Sequence, residues 1–341
     1  MEREGPRSAS SAPPSSLRWE ILRGAFLARS TPPSSPHASS QVDRKIISRR
    51  TSSHFNMIPR HFISENFSGA LDVPLEVRHS DSKRDISVLY KLPVMTAHSL
   101  VLTQRMENEV DLKDFEISNQ FNIDNTGLLC CWPSEDILAH FCLKNKDIFS
   151  GKKVIELGSG YGLAGLAIAA GTDAREVVIS DGNPQVVDYL QLNIDTNIRS
   201  FGDKKVKAMT LHWDQKLDSC MLSSFDAIVA SDCTFFKEFH EALALTVKSL
   251  LKNSERSTAI LLSPRRGDSL DKFLVKVEEI GMRSEVVENY DPAVWQRHLM
   301  FLSGEDKSWP NYDEDHFYPL LVKLSFGDPT EAPFLQTLPG N

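Results

Sequence analysis

The residues best suited to chemistry cluster at positions 152–166. Val154 and Ile155 lead through Glu156 and Leu157 into a glycine turn, Gly158-Ser159-Gly160-Tyr161-Gly162, and an apolar run over 163–170 follows. A β-branched run, then glycines, then helix-forming residues read as strand, tight turn and helix, which lets backbone N–H groups approach a ligand closely. A dinucleotide turn carries Gly-x-Gly-x-x-Gly, whereas these glycines are spaced Gly-x-Gly-x-Gly. Glu156 stands just ahead of the turn, where a carboxylate repels a pyrophosphate and attracts a cation. S-adenosyl-L-methionine carries an ammonium and a sulfonium and no phosphate, so it suits this turn better than a dinucleotide does. The plain alternative is a structural turn with no ligand.

The elements downstream alternate as an open α/β sheet requires. A second strand over 176–181 ends in Asp181, where an acid can accept hydrogen bonds from ribose hydroxyls, a role that serves either ligand. A helix over 184–198 follows, and a third strand over 206–213 ends at Trp213, whose ring can stack on an adenine. The fourth strand, 225–232, delivers Ser231 and Asp232 to the carboxyl edge of the sheet, where ligands of such folds sit. Helix 237–251, strand 257–262, helix 269–280 and strands over 283–287 and 318–326, read as a late β-hairpin, complete the sheet. Upstream, Trp132-Pro133 sets a flat apolar surface just before a helix for which Ser134 is the expected N-cap.

The chain has 341 residues, 41% hydrophobic and 25% charged, enough for one large domain with appendages. Five cysteines, odd in number and without C-x-x-C spacing, indicate reduced thiols rather than a disulfide framework or a zinc site. That usage points to the cytoplasm, with the nucleus as a second location. No apolar run has the length a membrane helix needs. Net charge is −8, divided unevenly: residues 1–62 hold ten Lys/Arg against four acids, +6, leaving −14 for the rest. An acidic body excludes a non-specific nucleic-acid binder. Pro/Ser-rich stretches mark 1–53 as a largely disordered basic arm, with a short amphipathic helix at 17–27. Residues 54–122 read as a β-rich extension, 123–326 as the main domain, and 327–341 as a flexible tail. The protein is expected to act as a monomer.

Taken together, Trp132-Pro133-Ser134-Glu135, the run from Val154 to Gly162, Ser180-Asp181, Leu211-His212-Trp213-Asp214 and Ser231-Asp232-Cys233 resemble the class I (seven-β-strand) methyltransferases, and within them the protein-lysine branch called family 16. Asp181-Gly182-Asn183, Ser263-Pro264-Arg265-Arg266-Gly267 and His316-Phe317-Tyr318-Pro319 are similar to the calmodulin-directed members of that branch. The resemblance spans about 115–326 and fails over the Pro/Ser stretches and the last fifteen residues. It implies a Rossmann-like seven-stranded α/β sheet and methyl transfer from S-adenosyl-L-methionine to a protein lysine. The cofactor would be held by Trp132, Gly158, Ser159, Gly160, Asp181, Trp213 and Ser231, with Glu156 beside them on the charge argument above. One departure matters: many relatives carry Asp-x-x-Tyr after the fourth strand, and this chain has Asp232-Cys233-Thr234-Phe235. Without the hydroxyl, Phe235 is limited to an apolar or cation–π wall for the lysine.

Within that resemblance, Asp232 orients the acceptor amine or takes its proton through water, unless it only caps the next helix. Arg265 and Arg266 contact an acidic protein substrate, calmodulin in the implied case, or merely finish their strand in solvent. Other protein lysines, on a chaperone or an elongation factor, and a silent cofactor-binding module remain as alternative readings. Calmodulin is acidic and so is this body, so the basic arm would have to steer the encounter. Deleting residues 1–62 is expected to slow methylation most at low salt; equal rates for both forms across a salt series would refute that steering.

Overall fold

The computed structural model describes residues 54–63, 85–93, 99–105, 112–121, 123, 125–129 and 131–327; the arm, with the helix expected at 17–27, and the tail beyond 327 lie outside them. The central sheet has seven strands: β4 (Lys153–Leu157), β5 (Glu176–Asp181), β6 (Lys205–Thr210), β7 (Ala227–Ser231), β8 (Thr258–Ser263), β9 (Met282–Val287) and β10 (Leu320–Phe326). Their spatial order is β6-β5-β4-β7-β8-β10-β9. The first five run parallel, and β10 is antiparallel to both β8 and β9. The chain order reverses between β4 and β7, so a crevice opens at their carboxyl ends. Both strands are almost wholly buried, which is why they read as continuous apolar runs rather than alternating ones.

Helices cover the two faces: α2 (Pro133–Lys144), α3 (Leu163–Gly171), α4 (Pro184–Asn197), α5 (His240–Leu250) and α6 (Ser269–Glu279), after α1 (Leu112–Phe121) in the extension. The α3 sequence is apolar all round because the helix is buried all round. Gly165 lets it press onto the sheet; a Cβ there would lie 2.6 Å from a Glu156 carboxyl oxygen and 2.7 Å from Ile179. The late antiparallel pair expected from the sequence is present as β9 and β10, with a helix the sequence reading did not name, α7 (Pro292–Ser303), in the connection between them. Asp291 caps it by accepting from the N–H groups of Ala293 and Val294, with Pro292 in the first turn.

The extension forms its own antiparallel sheet, β1 (Arg60–Ile63), β2 (Asp85–Lys91) and β3 (Ser99–Arg105). Two buried asparagines one turn apart on α4 occupy the open edge of β3. The Asn197 side-chain oxygen accepts from Val101 N–H and its amide donates to Val101 C=O; Asn193 does the same with Thr103. The pair stands in for a neighbouring strand and satisfies an edge that would otherwise be unpaired. Asp136 on α2 accepts from the backbone N–H groups of Met57 and Ile58, at 2.8 and 2.9 Å. Tyr161, inside the glycine turn, accepts from Arg105 N–H and donates to Leu128 C=O. Through these bonds the extension braces the turn.

Candidate active site

The carboxyl ends of β4, β5 and β7 frame one open cleft of roughly 930 Å³, counted to include the solvent at its mouth. Gly158, Ser159, Gly160, Asp181, Trp213 and Ser231 all line it, with Trp132, Asp232 and Phe235 at the other end. Gly158 has φ +59°, and a Cβ on it would lie 2.7 Å from Cys233 Sγ and 3.2 Å from the Trp213 ring. The turn can therefore pass under the indole only as glycine. Asp181 accepts from Gly160 N–H at 3.1 Å and from Asn183 N–H at 2.9 Å, so one carboxylate fixes both the glycine turn and the start of α4.

These residues fit S-adenosyl-L-methionine. The buried Ser159 hydroxyl makes no hydrogen bond among the described residues and lines the cleft, an orphan donor that a ligand can satisfy. Among the described lining residues there is no Lys or Arg, while Glu135 and Asp181 are both present. That lining opposes a pyrophosphate and welcomes a cation.

Glu156, the residue on which the charge argument first rested, does not line the cleft. It lies behind the turn, 1% exposed, and accepts from Gly165 N–H at 2.8 Å. Burial, reinforced by the Glu135 carboxyl, holds its pKa well above the carboxylate range, so it supplies no charge to a ligand. The carboxyl that does face the cleft is Glu135, which accepts from Leu163 N–H at the start of α3, 2.7 Å away. Sequence reasoning read Glu135 only as part of a motif; its position one turn into α2 beside Trp132 was the available signal.

Burial raises the Glu135 pKa to about 7, against the Leu163 N–H bond, which lowers it; Asp136 and Asp181 add to the rise. A carboxyl raised in the fold stabilises it fully below the unfolded pKa, near 4.5, and that contribution is lost as pH climbs through about 7. Glu135→Gln, which keeps the acceptor oxygen without the charge, is expected to lose less stability across that window. The difference should be on the order of 3 kcal/mol in urea unfolding. Identical pH slopes for the two proteins would contradict it.

At the far end, Ser134 does not cap α2. Trp132 holds the N-cap position, Pro133 begins the helix, and the Ser134 hydroxyl donates to Asp232 Oδ2 at 2.9 Å. Asp232 adopts φ +59°, and its other oxygen lies 2.5 Å from Arg266 Nη1. It caps no helix. Arg265 and Arg266, adjacent in sequence, part company: Arg265 is exposed, whereas the Arg266 side chain is 5% exposed. The Arg266 guanidinium lies 4.7 Å from the Trp132 ring centre and 4.9 Å from that of Phe235, and its Nε donates to His316 C=O. It is not the surface arginine that its neighbour is. Trp132 and Phe235 face each other with centroids 6.4 Å apart.

The sequence profile of the lysine methyltransferase family matches residues 111–280. The calmodulin-lysine N-methyltransferase of Arabidopsis thaliana is 52% identical over 94% of this chain and 98% of its own length. The protein N-lysine methyltransferase METTL21A of Danio rerio is 32% identical over 43% of this chain and 66% of that protein. The protein-lysine N-methyltransferase EEF2KMT of Mus musculus is 30% identical over 48% and 52%. Fold, cofactor chemistry and near full-length identity agree: the chain belongs to the lysine methyltransferase family, in the branch of the calmodulin-lysine N-methyltransferases.

Proposed function

We propose that this protein transfers methyl groups from S-adenosyl-L-methionine to a lysine ε-amine of calmodulin. The observation that carries the choice of substrate is identity at 52% running through nearly the whole of both chains, extension included, rather than through the methyltransferase domain alone. When bound, S-adenosyl-L-methionine supplies an electrophilic methyl group on a sulfonium. The glycine turn, Asp181 and Trp213 would hold it, leaving the Asp232 end for the acceptor.

The chain's own part is alignment and desolvation. Trp132 and Phe235 line the cleft with apolar surface along which lysine methylenes can lie, while their ring faces are turned to the Arg266 guanidinium. Holding the amine on a short line of approach contributes through orientation. Lysine has an unperturbed pKa of about 10.4, so the proton must leave before attack; apolar walls favour the neutral form. Asp232 has one oxygen on Ser134 and the other on Arg266, so it shapes the acceptor end rather than serving as a free base. The four described cysteines are all free thiols, which supports a reducing, cytoplasmic setting as part of the same reading.

Radiolabelled methyl transfer tests the reading. Label should enter purified calmodulin, vanish with Asp181→Ala, and survive alkali that cleaves methyl esters. Label in other proteins of a cell extract but none in calmodulin would move the substrate to another protein lysine.

A further inference from the structure

The acceptor end contains an ion pair that sequence alone did not bring together. Asp232 sits on the loop after β7 and Arg266 on the loop after β8, and their side chains are 3% and 5% exposed. Both carboxylate oxygens are engaged: Oδ2 accepts from Ser134 Oγ at 2.9 Å, and Oδ1 is ion-paired with Arg266 Nη1 at 2.5 Å without hydrogen-bond geometry. Arg266 is held from three further sides by the rings of Trp132 and Phe235 and by His316 C=O. Its backbone is fixed as well: Arg266 N–H donates to Asp315 C=O at 2.8 Å, and φ is +47°. Asp232, Trp132 and Phe235 line the cleft whereas Arg266 does not, so the guanidinium backs the wall from behind.

We propose that Arg266 is a positioning residue for the methyl-transfer reaction: by pairing with Asp232 it cancels the carboxylate at the acceptor end of the cleft, so that the incoming lysine meets a neutral wall and gives up its proton to water. The proposal rests on the lysine-methyltransferase reading above. Its physical basis is the effect of an unpaired carboxylate on a neighbouring amine. A carboxylate within a few ångströms raises a lysine pKa by about 1–3 units. At fixed pH that lowers the neutral, reactive fraction roughly 10- to 1,000-fold. Asp232 left alone would thus bind the acceptor as an ammonium and hold it unreactive. Paired with Arg266, the same carboxylate keeps Ser134 and the aromatic walls in place without that penalty.

The other titratable groups around the pair do not duplicate its charge. Burial pushes the Cys233 thiol well up, so it stays neutral. Burial, then the Arg266 charge, holds the His316 pKa down, so the imidazole is neutral at and above neutral pH. Asp315, on the loop side, accepts from Gly267 N–H, and with Asp313 and Arg265 it is exposed to solvent. Glu135, held by Leu163 N–H, and Asp181, held by the N–H groups of Gly160 and Asn183, also line the cleft.

The test is the pH dependence of kcat with calmodulin as acceptor, in full-length variants whose melting and cofactor binding are measured in parallel. Arg266→Met keeps an apolar stem between the rings but frees Asp232. Its rising limb of kcat should move at least about one unit alkaline, with kcat near neutrality down about tenfold and KM no higher. Asp232→Asn leaves the guanidinium uncompensated and should move the limb the other way. The double variant should return the midpoint to that of wild type. A second reading needs no turnover: a peptide bearing trimethyl-lysine, whose charge is permanent, should bind Arg266→Met several-fold more tightly than wild type in calorimetry without cofactor. Uniform loss of kcat at every pH, shifts of the wrong sign, a double variant that keeps the alkaline midpoint, or unchanged affinity for the peptide would each overturn the role of Arg266. Absence of any lysine methylation by wild type would instead overturn the reading on which it rests.

Discussion

Asp181→Ala is expected to weaken S-adenosyl-L-methionine binding by roughly 10²- to 10⁴-fold. The carboxylate ends β5, 9% exposed, and is already aimed by the N–H groups of Gly160 and Asn183. Charged acceptors contribute about 1.5–3 kcal/mol per hydrogen bond, and two bonds to a ribose at about 1.4 kcal/mol per decade give that range. The variant also strips the acceptor from Gly160 N–H, so some loss of stability accompanies it. Calorimetric titration separates the two effects: a fall in melting temperature of a few degrees with unchanged cofactor affinity would show that Asp181 is only a brace for the turn.

The second large effect belongs to Gly158. Gly158→Ala puts a side chain at φ +59°, a conformation that costs an L-residue roughly 1–2 kcal/mol. Its Cβ would stand 2.7 Å from Cys233 Sγ and 3.2 Å from the Trp213 ring. Cys233 is buried and held by the carbonyls of Leu157 and Ser231, so the indole is the part that yields, and it yields within the cleft. Cofactor affinity should fall at least about tenfold, equivalent to 1.4 kcal/mol. Adding Cys233→Ala removes the closer clash and should recover part of the binding. If Gly158→Ala binds as wild type does, the turn is not the cofactor's floor.

Much of this was legible because the sequence is locally consistent. The buried parallel strands β4, β5, β7 and β8 read as apolar runs and were found within about two residues, whereas β6, exposed along one face, ends at Thr210 and not at Trp213. Periodicity is blind to what lies between β9 and β10: α7 was missed although Asp291-Pro292 is a start signal for a helix. The asparagine pair on α4 was equally invisible, since a polar residue on a helix reads as solvent-facing until a strand edge arrives to meet it. The glycine turn, Asp181, Trp213 and Ser231, singled out by spacing, come together in the lining of one cleft. Spacing misjudged the charges. Glu156 precedes the turn in sequence yet points into the helix behind it, and Glu135, distant in sequence, supplies the carboxyl at the cleft. Arg265 and Arg266 looked equivalent, and only the left-handed backbone at Arg266 turns one of them inward. Side-chain direction at a loop is a tertiary property, which no single-sequence pattern carries.

Mass spectrometry of purified calmodulin after incubation with the full-length protein and S-adenosyl-L-methionine tests the central claim most directly. The account predicts one or more methyl increments on a lysine of calmodulin, absent with Asp181→Ala and absent when that lysine is replaced by arginine. Unmodified calmodulin, from a preparation shown by titration to bind the cofactor, would contradict it.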